Sequence, residues 1–193
     1  VGLIVSIPLL PWANDILFII LGESYAAGSI TFTIMLLYPI HQSIGQINGT
    51  MFYATEKTRS YVIGNIIFMI FSVLTTIIVL APKSFLIPGL NLGSEGVALK
   101  LVLLQLIQVN LFSWYLSKIF KWNFDGFNQI VLFIFSLFFI YSSHLAIKQL
   151  SMNNIYIEFS LTTIVFLCLM LLIVLIQPNK VGLSKDFLDK YIF

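Results

Sequence analysis

Ten consecutive residues, 41 to 50, concentrate the side chains of this sequence that are suited to binding chemistry. Six of the ten carry an amide, a hydroxyl or an imidazole, and two of the others are glycines. These groups donate and accept hydrogen bonds without adding a fixed charge, which suits hydroxyl-rich ligands such as sugars. The six residues are His41, Gln42, Ser43, Gln46, Asn48 and Thr50.

The polar residues fall on two adjoining faces if the segment is a helix. Side chains at positions i, i+4 and i+7 lie on one face of an α-helix. Gln42, Gln46 and Gly49 follow this spacing and form a polar stripe along the segment. The adjoining face holds His41, Gly45 and Asn48.

Two interpretations of these polar faces stay open. Polar groups at membrane depth are costly unless they face water or protein. The faces therefore line a water-filled cavity for hydroxyl-rich cargo, or they join helices through hydrogen bonds, with glycines allowing close approach. We favour the cavity, because six polar side chains in ten residues exceed what helix packing needs. Pro39, at the start of the stripe, predicts a bend that exposes backbone carbonyls to that cavity.

Two titratable residues are candidates for ion coupling. The imidazole of His41 titrates near neutral pH when unperturbed, so proton-coupled transport is one interpretation. No carboxylate stands near it in the membrane segment, which favours a neutral, hydrogen-bonded histidine. Asp15 lies beside Trp12 and Asn14, a composition typical of a membrane interface rather than of a coupling site.

Two later apolar segments repeat the polar pattern more weakly. The first places Asn65 on one helix face with three other polar residues, and the second carries Gln105 and Gln108. Packing between helices is the favoured alternative for these residues. The complete set of candidate cavity residues is His41, Gln42, Gln46, Asn48, Asn65, Gln105 and Gln108.

Membrane-spanning helices must position these residues. The chain is 59% hydrophobic and 9% charged, whereas ordinary soluble domains are about 25% charged. Apolar stretches of about 20 residues are long enough to cross a bilayer. We expect an all-α polytopic membrane protein whose helical bundle fills residues 1–178, with a kink near Pro11. The expected helices are 1–21, 26–54, 61–81, 95–120, 128–148 and 155–177, and Ser94 is expected to cap the fourth.

The distribution of lysine and arginine predicts the topology. With six helices, seven of the ten basic residues fall on the side that holds both chain ends. Cytoplasmic loops carry the excess of basic residues, so both ends, including the tail 179–193, are expected in the cytoplasm. The tail suits a short helix on the membrane surface or a frayed terminus. The basic residues are Lys57, Arg59, Lys118, Lys121, Lys180, Lys185 and Lys190 on that side, and Lys83, Lys100 and Lys148 on the other.

Several functional classes are disfavoured by composition. A single cysteine, Cys168, disfavours disulfides and zinc sites. A net charge of +2 is too small to indicate nucleic-acid binding. The sequence shows no phosphate-binding glycine loop, no metal-ligand pair on one helix and no paired acids, so we expect neither enzymatic activity nor a cofactor. The first residues already read as membrane helix, and we therefore expect the chain to be part of a longer protein.

Three motifs in order resemble one family. Residues 19–28 read IILGESYAAG, residues 46–58 read QINGTMFYATEKT, and residues 92–98 read LGSEGVA. Together they resemble polysaccharide flippases of the O-antigen type, within the multidrug/oligosaccharidyl-lipid/polysaccharide exporter superfamily, over about residues 15–118. Glu56 stands where the family usually has glycine. No basic residue is expected at mid-depth, so the family's basic lumen residues are not carried over.

The resemblance implies a function. It implies two helical bundles around a V-shaped cavity, with this chain supplying the last six helices and a missing N-terminal lobe supplying the rest. Such a protein moves a lipid-linked oligosaccharide, an O-antigen or polysaccharide repeat unit, across the bacterial inner membrane by alternating access. The alternatives are a drug or lipid II exporter of the same superfamily, a membrane-embedded glycan polymerase or transferase, and a structural membrane subunit.

Overall fold

The computed structural model describes residues 2–82, 89–124, 126–150 and 154–176. The predicted tail 179–193 lies outside these residues, as does part of the loop expected between the third and fourth helices. Every regular element among the described residues is helical. The α-helices are α1 Gly2–Ser6, α2 Ala13–Leu21, α3 Ser29–Met35, α4 Tyr38–Ala54, α5 Thr58–Leu80, α6 Gly93–Phe120, α7 Gly126–Lys148 and α8 Ile155–Ile176.

Five helical stretches in the described part of the chain are long and apolar enough to cross a membrane. They occur where the sequence predicts spans one and three to six. The chain is therefore an all-α, multi-pass membrane protein, as predicted. The five stretches are Gly2–Leu21, Thr58–Leu80, Gly93–Phe120, Gly126–Lys148 and Ile155–Ile176.

The second predicted helix, 26–54, is not continuous. Residues Glu23–Gly28 form a 3-10 helix, and a turn at residues 36–37 separates α3 from α4. The backbone N–H of Leu37 bonds the carbonyl of Ile34 at 3.1 Å, a tighter turn than an α-helix makes. The cause is Pro39, whose ring lacks an N–H and clashes with the carbonyl four residues before it. The predicted helix is thus interrupted two to three residues before Pro39.

Proline also shapes the first predicted span. The segment Ile7–Trp12 between α1 and α2 is a 3-10 helix that contains Pro8 and Pro11. The kink that the sequence predicts near Pro11 is therefore a six-residue change of helix type.

The start of α6 differs from the prediction. The helix begins at Gly93, and its cap position is Leu92, without a side-chain cap. The predicted cap by Ser94 is therefore wrong, since Ser94 lies inside the first turn. Its hydroxyl instead accepts a hydrogen bond from Thr31 Oγ1 of α3 at 3.1 Å. Asn91 and Gly93, which lead into the helix, both have positive φ. Serine would adopt such a backbone conformation only at an energetic cost.

The chain divides into two compact units, which meet in sequence at residues 124 and 125. Unit 1 contains α1 to α6. Unit 2 contains α7 and α8, an antiparallel pair in which Ser136, Ile140 and Phe166 are fully buried. The seven candidate cavity residues all lie in unit 1, in α4, α5 and α6.

An aromatic cluster joins these three helices near the turn between α4 and α5. Phe52, which is 1% exposed, stacks on Tyr61 with ring centroids 5.1 Å apart and meets Phe112 edge-on at 5.4 Å. The Phe112 ring also contacts Phe68. A Cβ atom placed on Gly64 would lie 2.6 Å from Cε1 of Phe112. The glycine therefore sets how closely α5 approaches α6.

We expect Gly64→Leu to lower the free energy of unfolding by about 1–3 kcal/mol, because the surrounding rings prevent Phe112 from moving aside. The measurement is circular dichroism during titration of the micelle-solubilised protein with a denaturing detergent. Ile63→Leu, at an exposed position one residue earlier, is the matched control. Equal stability of the two variants would contradict this packing argument.

Candidate functional site

The candidate site lies between α4, α5 and α6. Helix α6 packs along both other helices, whereas α4 and α5 contact each other much less. Their ring contacts lie near the turn that joins them, where Phe52 and Tyr53 of α4 meet Tyr61 of α5. Away from that turn, the space between α4 and α5 is open beside α6 and holds two cavities of about 260 and 250 Å³. Asn65, Gln105 and Gln108 line both.

Five of the seven predicted site residues converge on this space. The cavity of about 250 Å³ has room for several water molecules. Its walls combine amide side chains with the rings of Tyr61 and Phe112. The predicted residues that line it are Gln42, Gln46, Asn65, Gln105 and Gln108.

Hydrogen bonds between helices hold four of the five amides in place. Gln105 Nε2 donates to Gln42 Oε1 at 2.8 Å, which joins α6 to α4. Gln108 Nε2 donates to Asn65 Oδ1 at 2.7 Å, which joins α6 to α5. A primary amide has two N–H donors and a carbonyl that accepts twice, so each pair keeps capacity for a ligand.

The fifth amide, that of Gln46, is available for a ligand. Its side chain lines the cavity and has no hydrogen-bond partner among the described residues. It lies one helical turn beyond Gln42, on the face that the sequence predicts to be a polar stripe. The stripe therefore faces the cavity.

The adjoining face of α4 packs against α6 instead. Asn48 is 4% exposed, and its Nδ2 donates to the Val109 carbonyl at 3.0 Å and to Ser113 Oγ at 2.9 Å. A Cβ atom on Gly45 would lie 3.2 Å from Cγ2 of Val109. The helices approach closely at Gly45, next to a hydrogen bond from the side-chain amide of Asn48. This is the helix-packing alternative that the sequence left open for these faces. Asn48 lines neither of the two cavities.

His41 belongs to the same face as Gly45 and Asn48 by helical register. Its Nδ1 atom is buried without a hydrogen-bond partner in the described part of the chain. The histidine is absent from the walls of both cavities. Gln42 and Gln46 thus line the cavity, together with Gly45 of the adjoining face, and Gln42 also joins α4 to α6. Asn48 joins the same two helices without lining either cavity.

Lys100 is a buried cation that the sequence analysis missed. It is 9% exposed, and its Nζ donates to Ser72 Oγ at 2.6 Å and to Thr76 Oγ1 at 2.8 Å, both on α5. By sequence it counts among the basic residues at the outer helix ends, but it follows the start of α6 by seven residues, or about 10 Å. The available signal was the i, i+4 spacing of the two hydroxyls on the predicted polar face of α5.

The lysine brings positive charge to the wall of the cleft. Ser72 lines the cavity of about 260 Å³, together with Tyr38 and the shared amides. In the described residues, Lys100 has hydroxyl partners and no carboxylate partner. Hydroxyl groups accept hydrogen bonds from an ammonium group without neutralising its charge, so protonated Lys100 favours anionic over cationic ligands in the cleft.

Comparison with known proteins adds no family. No protein-family model, no curated protein and no solved structure matches the chain. Within the described residues, no three histidine, cysteine or acidic side chains group together as metal ligands would. The function of the chain is therefore inferred from the chemistry of the cleft.

Thiol labelling distinguishes the two faces of α4. In a Cys168→Ala background, we expect a water-soluble maleimide to label Gln46→Cys, because the cavity admits water. Asn48→Cys is expected to stay unlabelled, because that position is sealed against α6. Val73→Cys, on an exposed apolar position of α5, controls for exposure to lipid. Labelling of Asn48→Cys as fast as Gln46→Cys would contradict the assignment of the faces.

The solvation of Lys100 can be measured by a set of substitutions. Ser72→Ala with Thr76→Ala removes both acceptors and is expected to cost about 3 kcal/mol of the free energy of unfolding. Adding Lys100→Met is expected to recover most of that loss, because no buried charge remains. Thr75→Ala is the control, since that hydroxyl bonds carbonyls of its own helix. No recovery on adding Lys100→Met would contradict the buried ammonium.

Proposed function

We propose that this chain forms one lobe of a carrier that moves a lipid-linked oligosaccharide across the bacterial inner membrane. The observation that carries the proposal is the amide-lined cleft between α4, α5 and α6, in a protein whose other surfaces are largely apolar. Such a cleft gives a hydroxyl-rich group hydrogen bonds within a bilayer, where unsatisfied polar groups are costly.

The composition of the cleft supports a sugar as the transported group. Sugar hydroxyls both donate and accept, and an amide does both through one planar group. The pairing of Gln42 with Gln105, and of Asn65 with Gln108, orients these amides before a ligand arrives. Orientation in advance lowers the entropy cost of binding.

Lys100 supports an anionic linkage in the same cargo. Its ammonium group bonds the hydroxyl of Ser72, which lines the cleft. A phosphate or another acidic group near Ser72 would meet the positive charge of protonated Lys100. A lipid-linked sugar joined through phosphate groups combines the hydroxyls and the negative charge that the two parts of the cleft favour.

The residues around the cleft favour transport of a ligand over its covalent modification. No aspartate or glutamate lines either cavity in the described part of the chain. Acid–base catalysis on a glycan would call for a positioned acid or base within hydrogen-bond reach of the reacting group. In the proposal, helices of a second lobe form the opposite wall of the cleft. Rocking of the two lobes opens the cleft to one side of the membrane and then to the other. The C-terminus lies in the cytoplasm.

The test is surface polysaccharide in cells that depend on the full protein. We expect Gln46→Leu combined with Gln108→Leu to lower transport about thirtyfold, because hydrogen bonds of about 1 kcal/mol each are lost at two amides. The lipid-linked precursor is expected to accumulate on the cytoplasmic face, at an unchanged level of protein.

Ile47→Leu combined with Ile107→Leu is the matched control, since both positions are exposed, apolar and adjacent to the tested amides. Normal polysaccharide in the amide variant would remove the cleft from the transport path. Lost drug resistance with normal polysaccharide would assign the chain to a drug exporter instead.

A further inference from the structure

One end of unit 1 brings two separate basic segments together. Lys57 lies in the turn between α4 and α5, and Arg59 lies in the first turn of α5. Lys118 lies in the last turn of α6, and Lys121 caps that helix. These segments are about 60 residues apart in sequence. The side chains of Ser60 and Tyr115 meet across them, with 3.5 Å between the Oγ and OH atoms. Phe52 of α4 also stacks on Tyr115 of α6, with ring centroids 5.7 Å apart, and this stack holds the two helices together next to the Ser60 contact.

This end carries a net positive charge. Lys57, Arg59, Lys118 and Lys121 are all exposed, and none forms an ion pair within the described residues. Glu56 is the one carboxylate within residues 51–60 and 110–124. We call these four basic side chains, with the aromatic residues around them, the basic end of unit 1.

Aromatic side chains accompany the charges. Trp114 is 48% exposed, and Lys118 Nζ lies 5.6 Å from the centre of its ring. Phe120 and Trp122 stack with centroids 5.0 Å apart and an interplanar angle of 3°. Exposed tryptophan next to lysine is typical of the level at which lipid headgroups meet hydrocarbon.

The length of α6 sets the depth of these groups. Its 28 residues extend about 42 Å, and the hydrocarbon core is about 30 Å thick. The last turns of α6 therefore reach the headgroup region when the helix crosses the bilayer. Lys118 and Lys121 then lie at the level of lipid phosphates, with the Trp114 ring just below them.

We infer that the basic end of unit 1 binds the phosphate groups of anionic phospholipids in the adjacent leaflet. The four cations belong to α5, α6 and the turns beside them, and these segments meet at Ser60 and Tyr115. One or two headgroups are therefore held between segments rather than along one helix. The exposed rings pack against the upper acyl chains of the same lipids. This surface is separate from the cleft, and the inference does not depend on what the cleft carries.

The test uses the full chain reconstituted in phosphatidylcholine with a trace of spin-labelled lipid. Electron paramagnetic resonance reports the association of labelled phosphatidylglycerol relative to labelled phosphatidylcholine. We expect preference for phosphatidylglycerol, weakened by salt, and a loss of about fivefold per cation removed. Labelled lipid occupies both leaflets, so the result does not depend on how the protein is inserted.

Two single variants form the matched comparison. Lys118→Gln and Lys148→Gln each remove one exposed lysine from the end of a long helix. We expect Lys118→Gln to lower the preference and Lys148→Gln to leave it unchanged. The variant with all four cations of the basic end replaced by glutamine is expected to lose the preference while keeping its helical circular dichroism. Retained preference in that variant, or equal losses in the two single variants, would overturn the inference.

Discussion

Unit 1 depends on one constraint: a polar side chain inside an apolar bundle needs a partner, and most side-chain hydrogen bonds that join two of its described helices involve α6. Gln105 and Gln108 bond amides of α4 and α5, and Lys100 bonds two hydroxyls of α5. In a bilayer the hydrophobic effect does little to hold helices together. These hydrogen bonds, with close contacts at glycines and aromatic rings, therefore determine how the three helices are arranged.

The same bonds create the cleft. Because α6 contacts α4 on one side and α5 on the other, the amides of all three helices turn toward the space between α4 and α5. At the turn beside Phe52 the aromatic rings fill that space, and beyond them it is open. A single set of residues thus stabilises the bundle and gives the cavity its hydrogen-bonding walls. This double use explains why polar side chains occur here in numbers that packing alone would not need.

Much of the fold follows from sequence, because apolar length and helix breakers are local properties. Five predicted spans are present, and α-helical geometry is interrupted at Pro11 and just before Pro39. The errors are also local in origin. The helix predicted over 26–54 is divided because proline disturbs the turn before it. Ser94 does not cap α6 because the helix begins at Gly93, two residues before its predicted start.

The sequence by itself determined the class of protein and the amphipathic register of α4, since both depend on composition and on 3.6-residue periodicity. Only the tertiary structure decided that Gln46 faces a cavity while Asn48 joins α6, because adjoining faces of one helix are equivalent until neighbours occupy them. It also decided that Lys100 is buried. A lysine two turns inside a helix can extend toward the headgroups or bond a neighbouring helix, and the hydroxyls of α5 select the second.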